Sequence, residues 1–155
     1  PIAFSQASRT LAVTTPLGAD VFGVAAFACR EGISRPFELT LDLFAASDTT
    51  VAFDRLLGQG VTLAVALPTE VGATRHFHGI VRSVARRGTE QVATDARTAY
   101  RLEVVPQLWL LGRVRRSRLF QRKTVPEILE AALAGVTISK RLQGTYEPRE
   151  LCVQY

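Results

Sequence analysis

In FELTLDLF, residues 37–44, Phe37, Leu39, Leu41 and Leu43 alternate with Glu38, Thr40 and Asp42. Successive side chains of a strand point to opposite faces, so a period of two gives one apolar and one polar face, as in an antiparallel sheet that is wet on one side. The same alternation returns in VTLAVAL, residues 61–67, just before Pro68, and in Tyr100, Leu102 and Val104 before Pro106. Between these lie a predicted strand over residues 21–30, a short helical turn over 53–57 closed by Gly58, and a long strand over 75–86. The polar stretch RGTEQVATDAR, residues 87–97, reads as an exposed hairpin loop. Gly, Pro, Asp and Thr punctuate the breaks as turns require. Strand after strand from Leu11 to Val105, with little helix, predicts a mainly β (α+β) chain whose first part is an antiparallel β-barrel or a sandwich.

Beyond Pro106 the character changes. The apolar segment PQLWLL, residues 106–111, runs into RVRRSRLFQRKTVPEILE, residues 113–130. There Thr124 and Glu127 stand at the spacing of a capping box, in which two side chains satisfy backbone donors reciprocally. Pro126 suits the first turn, where its missing N–H has no helical partner. Ile128, Leu129, Ala132 and Leu133 then recur at helical spacing, and Gly135 is the natural terminator, so a short helix with one apolar stripe is predicted. LCVQY, residues 151–155, again alternates like a strand.

With 155 residues, 47% of them hydrophobic, the chain has the size of one domain, and such a fold buries roughly 70% of its unfolded surface. The net charge of +5 is concentrated in Arg113, Arg115, Arg116, Arg118, Arg122 and Lys123, with no acidic residue among them. Such a run raises the question of an anionic partner. Cys29 and Cys152 are far apart and match no metal-ligand spacing, so they read as reduced thiols of a cytoplasmic protein. No apolar stretch approaches the ~20 residues that span a bilayer, and the N-terminus lacks the zones of a signal peptide. A start at Pro1 and a final strand that stops abruptly suggest a trimmed fragment.

Chemistry-bearing residues are sparse. His76 and His78, two apart in a strand, share a face and could contribute to a metal site, but no third ligand accompanies them. Ser34, Asp42 or Asp54, and either histidine contain the residue types of a hydrolase triad, without the strained nucleophile turn such a site uses. Gly58 and Gly60 begin a dinucleotide fingerprint, but Leu63 stands where its last glycine belongs and a strand follows, so they read as turn glycines. No cofactor, no metal and no catalytic residue is expected.

Taken in order, Arg35-Pro36-Phe37, Leu56-Leu57-Gly58, Phe77-His78-Gly79-Ile80-Val81 and Tyr100-Arg101-Leu102 form a series. It continues with Pro106-Gln107-Leu108-Trp109-Leu110-Leu111, Ser117-Arg118-Leu119-Phe120-Gln121, Val125-Pro126-Glu127-Ile128-Leu129 and Cys152-Val153-Gln154-Tyr155. From about Val21 to the end, this series resembles the N-terminal hub region of the VgrG family, spike proteins of bacterial type VI secretion that are similar to the baseplate hub of contractile phage tails. The resemblance implies a non-enzymatic homotrimer in which each chain contributes two related β-barrel domains. The trimer would seat on a tube of Hcp hexamers, carry effector or adaptor proteins, and meet a target membrane only through a downstream needle. It implies a first barrel over residues 1–106, then a linker, helix and first strands of a second module over 107–155, with Trp109, Leu108, Leu110 and Leu111 as an apolar plug between them. Phe77, Gly79, Trp109, Phe120, Thr124 and Glu127 would be its structural motif residues. Such a protein is cytoplasmic before firing and is secreted through the type VI apparatus without a signal peptide.

Arg113, Arg115, Arg116 and Arg118 are the expected interface, pairing with carboxylates of a neighbouring chain. Two conformations fit them: a strand with Arg113 and Arg115 on one face and Val114 on the other, or a solvated loop with arginines over apolar surface. The alternative function is a basic β-barrel that binds nucleic acid, although Phe120 is the only aromatic within the run. A secretion spike and the hub of a phage tail fit these residues equally.

Overall fold

The computed structural model describes residues 5–67, 72–92 and 95–154. It divides into two compact units, Pro1–Pro106 and Gln107–Tyr155. The first contains β1 (Leu11–Thr14), β2 (Gly23–Gly32), β3 (Arg35–Ala46), β4 (Gly60–Ala66), β5 (Thr74–Val92) and β6 (Asp95–Val105). Every neighbouring pair is antiparallel, in the order β1-β4-β5-β6-β3-β2.

The alternation read from residues 37–44 is the alternation of burial. Leu39, Leu41 and Leu43 of β3 are fully buried, as are Leu63 of β4 and Leu102 and Val104 of β6. Register places Leu41 opposite Leu102 and Leu39 opposite Val104, so apolar cross-strand pairs line one face. Leu56, just after the 3-10 turn Phe53–Arg55, seals this core with Phe22. Phe22 and Phe53 meet the Tyr100 ring edge-on at 5.6 and 6.2 Å. The turn is stitched to β5 by the Gly58 N–H donating to Val81 O (2.9 Å) and the Val81 N–H donating to Gln59 O (3.0 Å). Gly58 sits at φ 75°, where a side chain is disfavoured.

This unit departs from expectation in two places. The polar stretch 87–97 is not a loop: β5 runs on to Val92, β6 begins at Asp95, and residues 93 and 94 lie outside the described set. Thr89 pairs with Thr98 and Glu90 with Arg97 across a ladder interrupted by a bulge between Arg86 and Gly88. Paired strands need backbone partners, not an apolar face, so polar sequence hides this end of the hairpin. Nor is there a closed barrel. The sheet curls until Cα atoms of its edge strands β1 and β2 come within 8 Å, yet no ladder joins them among the described residues. Instead the Gln6 side chain accepts from Val13 N–H (2.7 Å) and donates to Val13 O (3.1 Å). Its amide occupies the backbone groups with which β1 would have bonded the next strand, blunting the edge.

The second unit holds the 3-10 helix Gln107–Arg113, β7 (Arg118–Lys123), α1 (Val125–Ala132) and β8 (Arg149–Gln154), with β7 and β8 antiparallel. The capping box forms as predicted. Glu127 N–H donates to Thr124 Oγ1 (3.4 Å), and Thr124 N–H donates to Glu127 Oε2 (2.8 Å). α1 ends at Ala132, capped by Leu133, before Gly135 at φ 92°. Residues 114–117 have no regular structure, so the arginine strand beginning at Arg113 is not formed; the strand starts at Arg118. Nothing in Gln107–Arg113 is buried, and Leu108 and Leu110 are 41% and 44% exposed.

Candidate functional site

The basic segment acquires its arrangement from its neighbours. Arg113, ending the 3-10 helix, lays its guanidinium 4.1 Å from the Trp109 ring centroid, a cation–π contact that holds the charge over apolar surface. Arg118 opens β7 and donates through Nη1 to the Ala131 carbonyl of α1 (2.5 Å), so it ties strand to helix. Lys123 donates to Glu127 Oε1 at 3.3 Å. Arg115, Arg116 and Arg122 are exposed, and none has a hydrogen bond or ion pair from its side chain among the described residues. The structure thus divides the six cations into three with local partners and three that face outward.

The β7–β8 ribbon adds an apolar component not anticipated from the sequence. Leu119 pairs with Val153 and Gln121 with Leu151, so these four share one face; Phe120 and Cys152 pair on the other, where both are half-buried. Leu119, Leu151 and Val153 are exposed. The period-two pattern of each strand signals two faces, but only the register shows that their leucines coincide.

The remaining candidates are dispersed. His76 and His78 do share a face, opposite Ala64 and Thr62, and His78 Nδ1 is bonded to Thr62 Oγ1 at 2.8 Å. No group of metal-ligating side chains gathers around them among the described residues. Asp42 is held by Arg101, whose Nε and Nη2 donate to its two oxygens at 2.7 and 3.0 Å. Ser34 lies at φ 58° in the tight turn between β2 and β3, and the one histidine hydrogen bond to a hydroxyl among the described residues goes to Thr62 instead. Burial, then Glu31, pushes the Cys29 thiol up while Arg75 pulls it down. The net upward shift keeps it a thiol, a poor nucleophile.

Phe77 is buried and packs on Phe27 at 5.9 Å. Gly79, two residues on, lies so close to β6 that a Cβ would stand 2.5 Å from Val105 O. These motif positions therefore build the sheet and do not line a reaction site. The first unit is thus an antiparallel sheet and the second a helix and ribbon, and no convergent catalytic groups occur among the described residues.

The model of the phage tail baseplate hub (GPD) family matches residues 30–155. The chain belongs to this family. Among curated proteins, this hub-family chain is 35% identical over 159 residues to the type VI secretion system spike protein VgrG1c of Pseudomonas aeruginosa, covering 100% of the chain and 21% of that protein. Against VgrG1b of the same organism it is 35% identical over 158 residues, 99% of the chain and 20% of the relative. Among solved structures it is similar to the E. coli c3393 protein, with a TM-score of 0.65 and 25% identity over 86% of this chain and 38% of that one. That protein is described as a component of the type VI secretion system with structural similarity to T4 bacteriophage tail proteins gp27 and gp5. The chain is a type VI spike- and baseplate hub-like protein, and it spans about a fifth of the length of these curated relatives.

Proposed function

We propose that the chain is the hub portion of a type VI secretion spike, a structural and non-enzymatic adaptor that works as a homotrimer and seats a puncturing needle on the Hcp tube. The observation that carries this reading is the hub-family match across residues 30–155, and spike proteins at 35% identity along the whole chain support it. Its two units, Pro1–Pro106 and Gln107–Tyr155, correspond in this reading to a first hub domain and the start of a second.

The mechanism is mechanical coupling. Contacts between rings hold the spike on the tube, and contraction of the sheath supplies the work. Arg115 and Arg116, exposed and locally unpaired, pair with carboxylates of a neighbouring chain or of the Hcp ring, while Arg113 and Arg118 are positioned by Trp109 and α1. Effector or adaptor proteins travel on the assembly. It is made in the cytoplasm, leaves through the apparatus without a signal peptide, and meets the target membrane only through the needle.

Co-sedimentation of the chain with preassembled Hcp tubes tests this. The chain is expected to pellet with the tubes, and reversing Arg115→Glu and Arg116→Glu together to weaken that association by about tenfold, equivalent to about 1.4 kcal/mol. Absence of the chain from the pellet overturns the seating role; association indifferent to the reversal overturns the assignment of the arginines. Binding to an oligonucleotide instead, falling steeply with added salt, would favour the nucleic-acid alternative.

A further inference from the structure

The face of the six-stranded sheet opposite the core carries a cavity of about 640 Å³. Its floor is apolar: Phe44 of β3, Ala99 of β6 and Ala25 of β2. Ala25 falls at the irregularity between Val24 and Ala26, and as small residues Ala25 and Ala99 leave the space open. Val92, 43% exposed, forms an apolar rim from the far end of β5.

Five charged side chains surround this floor: Arg87, Arg97 and Arg101 against Asp42 and Glu90. They are not equivalent. Arg101 and Asp42 close on each other through two hydrogen bonds, so each charge is already matched by the other. Arg97 faces Glu90 across the ladder, yet its guanidinium lies over the Phe44 ring, 4.9 Å from the centroid, with no ion pair among the described residues. Arg87, at the bulge in β5, has neither a side-chain hydrogen bond nor an ion pair among them. Among the described residues the cavity thus holds two guanidinium groups that form no ion pair, one of them stacked on the Phe44 ring.

We propose that this cavity docks an acidic segment of a partner protein, which places a carboxylate on Arg87 and Arg97 and lays an adjacent apolar side chain over Ala25, Ala99 and Val92, the Phe44 ring itself being covered by Arg97 and Arg9. The planar donor fork of arginine matches a carboxylate in two-point geometry, and an apolar floor beside a few fixed polar groups is the usual make-up of a recognition pocket. A nucleic acid fits less well. Its affinity grows with the number of phosphates that cations neutralise, and Asp42 and Glu90 offset two of the three arginines here. The docking site lies wholly within the first unit and does not depend on the spike function.

A fluorescent peptide alternating glutamate with leucine, titrated into the 155-residue chain, tests it, with backbone-amide NMR to place the contact. Saturable binding is expected, with shifts confined to Ala25, Phe44, Arg87, Arg97, Ala99 and their neighbours. Arg87→Glu with Arg97→Glu is expected to weaken it by about tenfold or more, while Arg141→Glu, exposed in the second unit, leaves it unchanged. Equal binding of the peptide with glutamine in place of glutamate, tighter binding of oligothymidylate at the same residues, shifts located elsewhere, or no saturation would each overturn the proposal. If the double reversal fails to fold, Arg87→Gln with Arg97→Gln and the shift map of the unaltered chain decide between these outcomes.

Discussion

At Gly79 an alanine methyl would stand 2.5 Å from Val105 O, 2.9 Å from Val104 Cγ1 and 3.0 Å from Phe37 Cζ. The backbone of β6 has little freedom to retreat, because Val104 and Val105 are themselves buried. Gly79→Ala is therefore expected to destabilise the first unit by about 1–3 kcal/mol, read as a lower urea midpoint; an unchanged midpoint would show that β6 yields. Glu127 makes a prediction in pH. Its carboxyl is held below the ordinary range first by the Thr124 backbone N–H, then by the Thr124 hydroxyl and Lys123. A carboxylate depressed in the folded state contributes stability above its unfolded pKa, about 4.3, and loses it as pH falls through the folded value. Amide protection across α1 should accordingly drop below about pH 4, whereas in Glu127→Gln it should stay flat through that range. The residues of this cap stood in the sequence at their proper offsets because a capping box is local. The crowding at Gly79 was legible only as a motif position, since most of the atoms that crowd it belong to other strands.

Edge strand β1 is the element most exposed to a change of one side chain. Gln6 satisfies the Val13 N–H and carbonyl and itself donates from its backbone to Asp20 Oδ1 at 2.9 Å. Gln6→Ala is expected to cost about 0.5–1.5 kcal/mol per hydrogen bond lost and to leave an open strand edge. Light scattering should then show concentration-dependent self-association, and a strictly unchanged particle size would remove Gln6 from its role as an edge cap. At the other end of the sheet, the β5–β6 hairpin shows why polarity disguises residues 87–97. Beyond the core a strand pair has no face to bury, so its sequence loses the alternation by which strands are recognised, while its ladder persists. In α1 the signal was the reverse. Cap, proline and apolar spacing all agreed, and the helix lies where they put it.

Over the whole molecule, the strongly buried apolar side chains of the described residues all lie between Val13 and Val105. The second unit relies on the β7–β8 ladder, the cap of α1 and half-buried groups such as Phe120 and Cys152. Local stability follows apolar burial, so hydrogen exchange should be slowest in β3, β4 and β6 and markedly faster throughout Gln107–Tyr155. Equal protection in both units would contradict this. The amino-acid order by itself determined which faces of the strands are apolar, where α1 starts, and that the chain resembles a spike hub, because alternation, capping and motif order are properties of neighbours along the chain. Only the tertiary structure decided that β1 ends in a Gln6 cap instead of closing a barrel, that Leu119, Leu151 and Val153 share a face, and that Arg87 and Arg97 line one cavity with Phe44. Each of those depends on which distant backbone groups pair and in what register, and a two-residue period states the face of a strand without naming its partner.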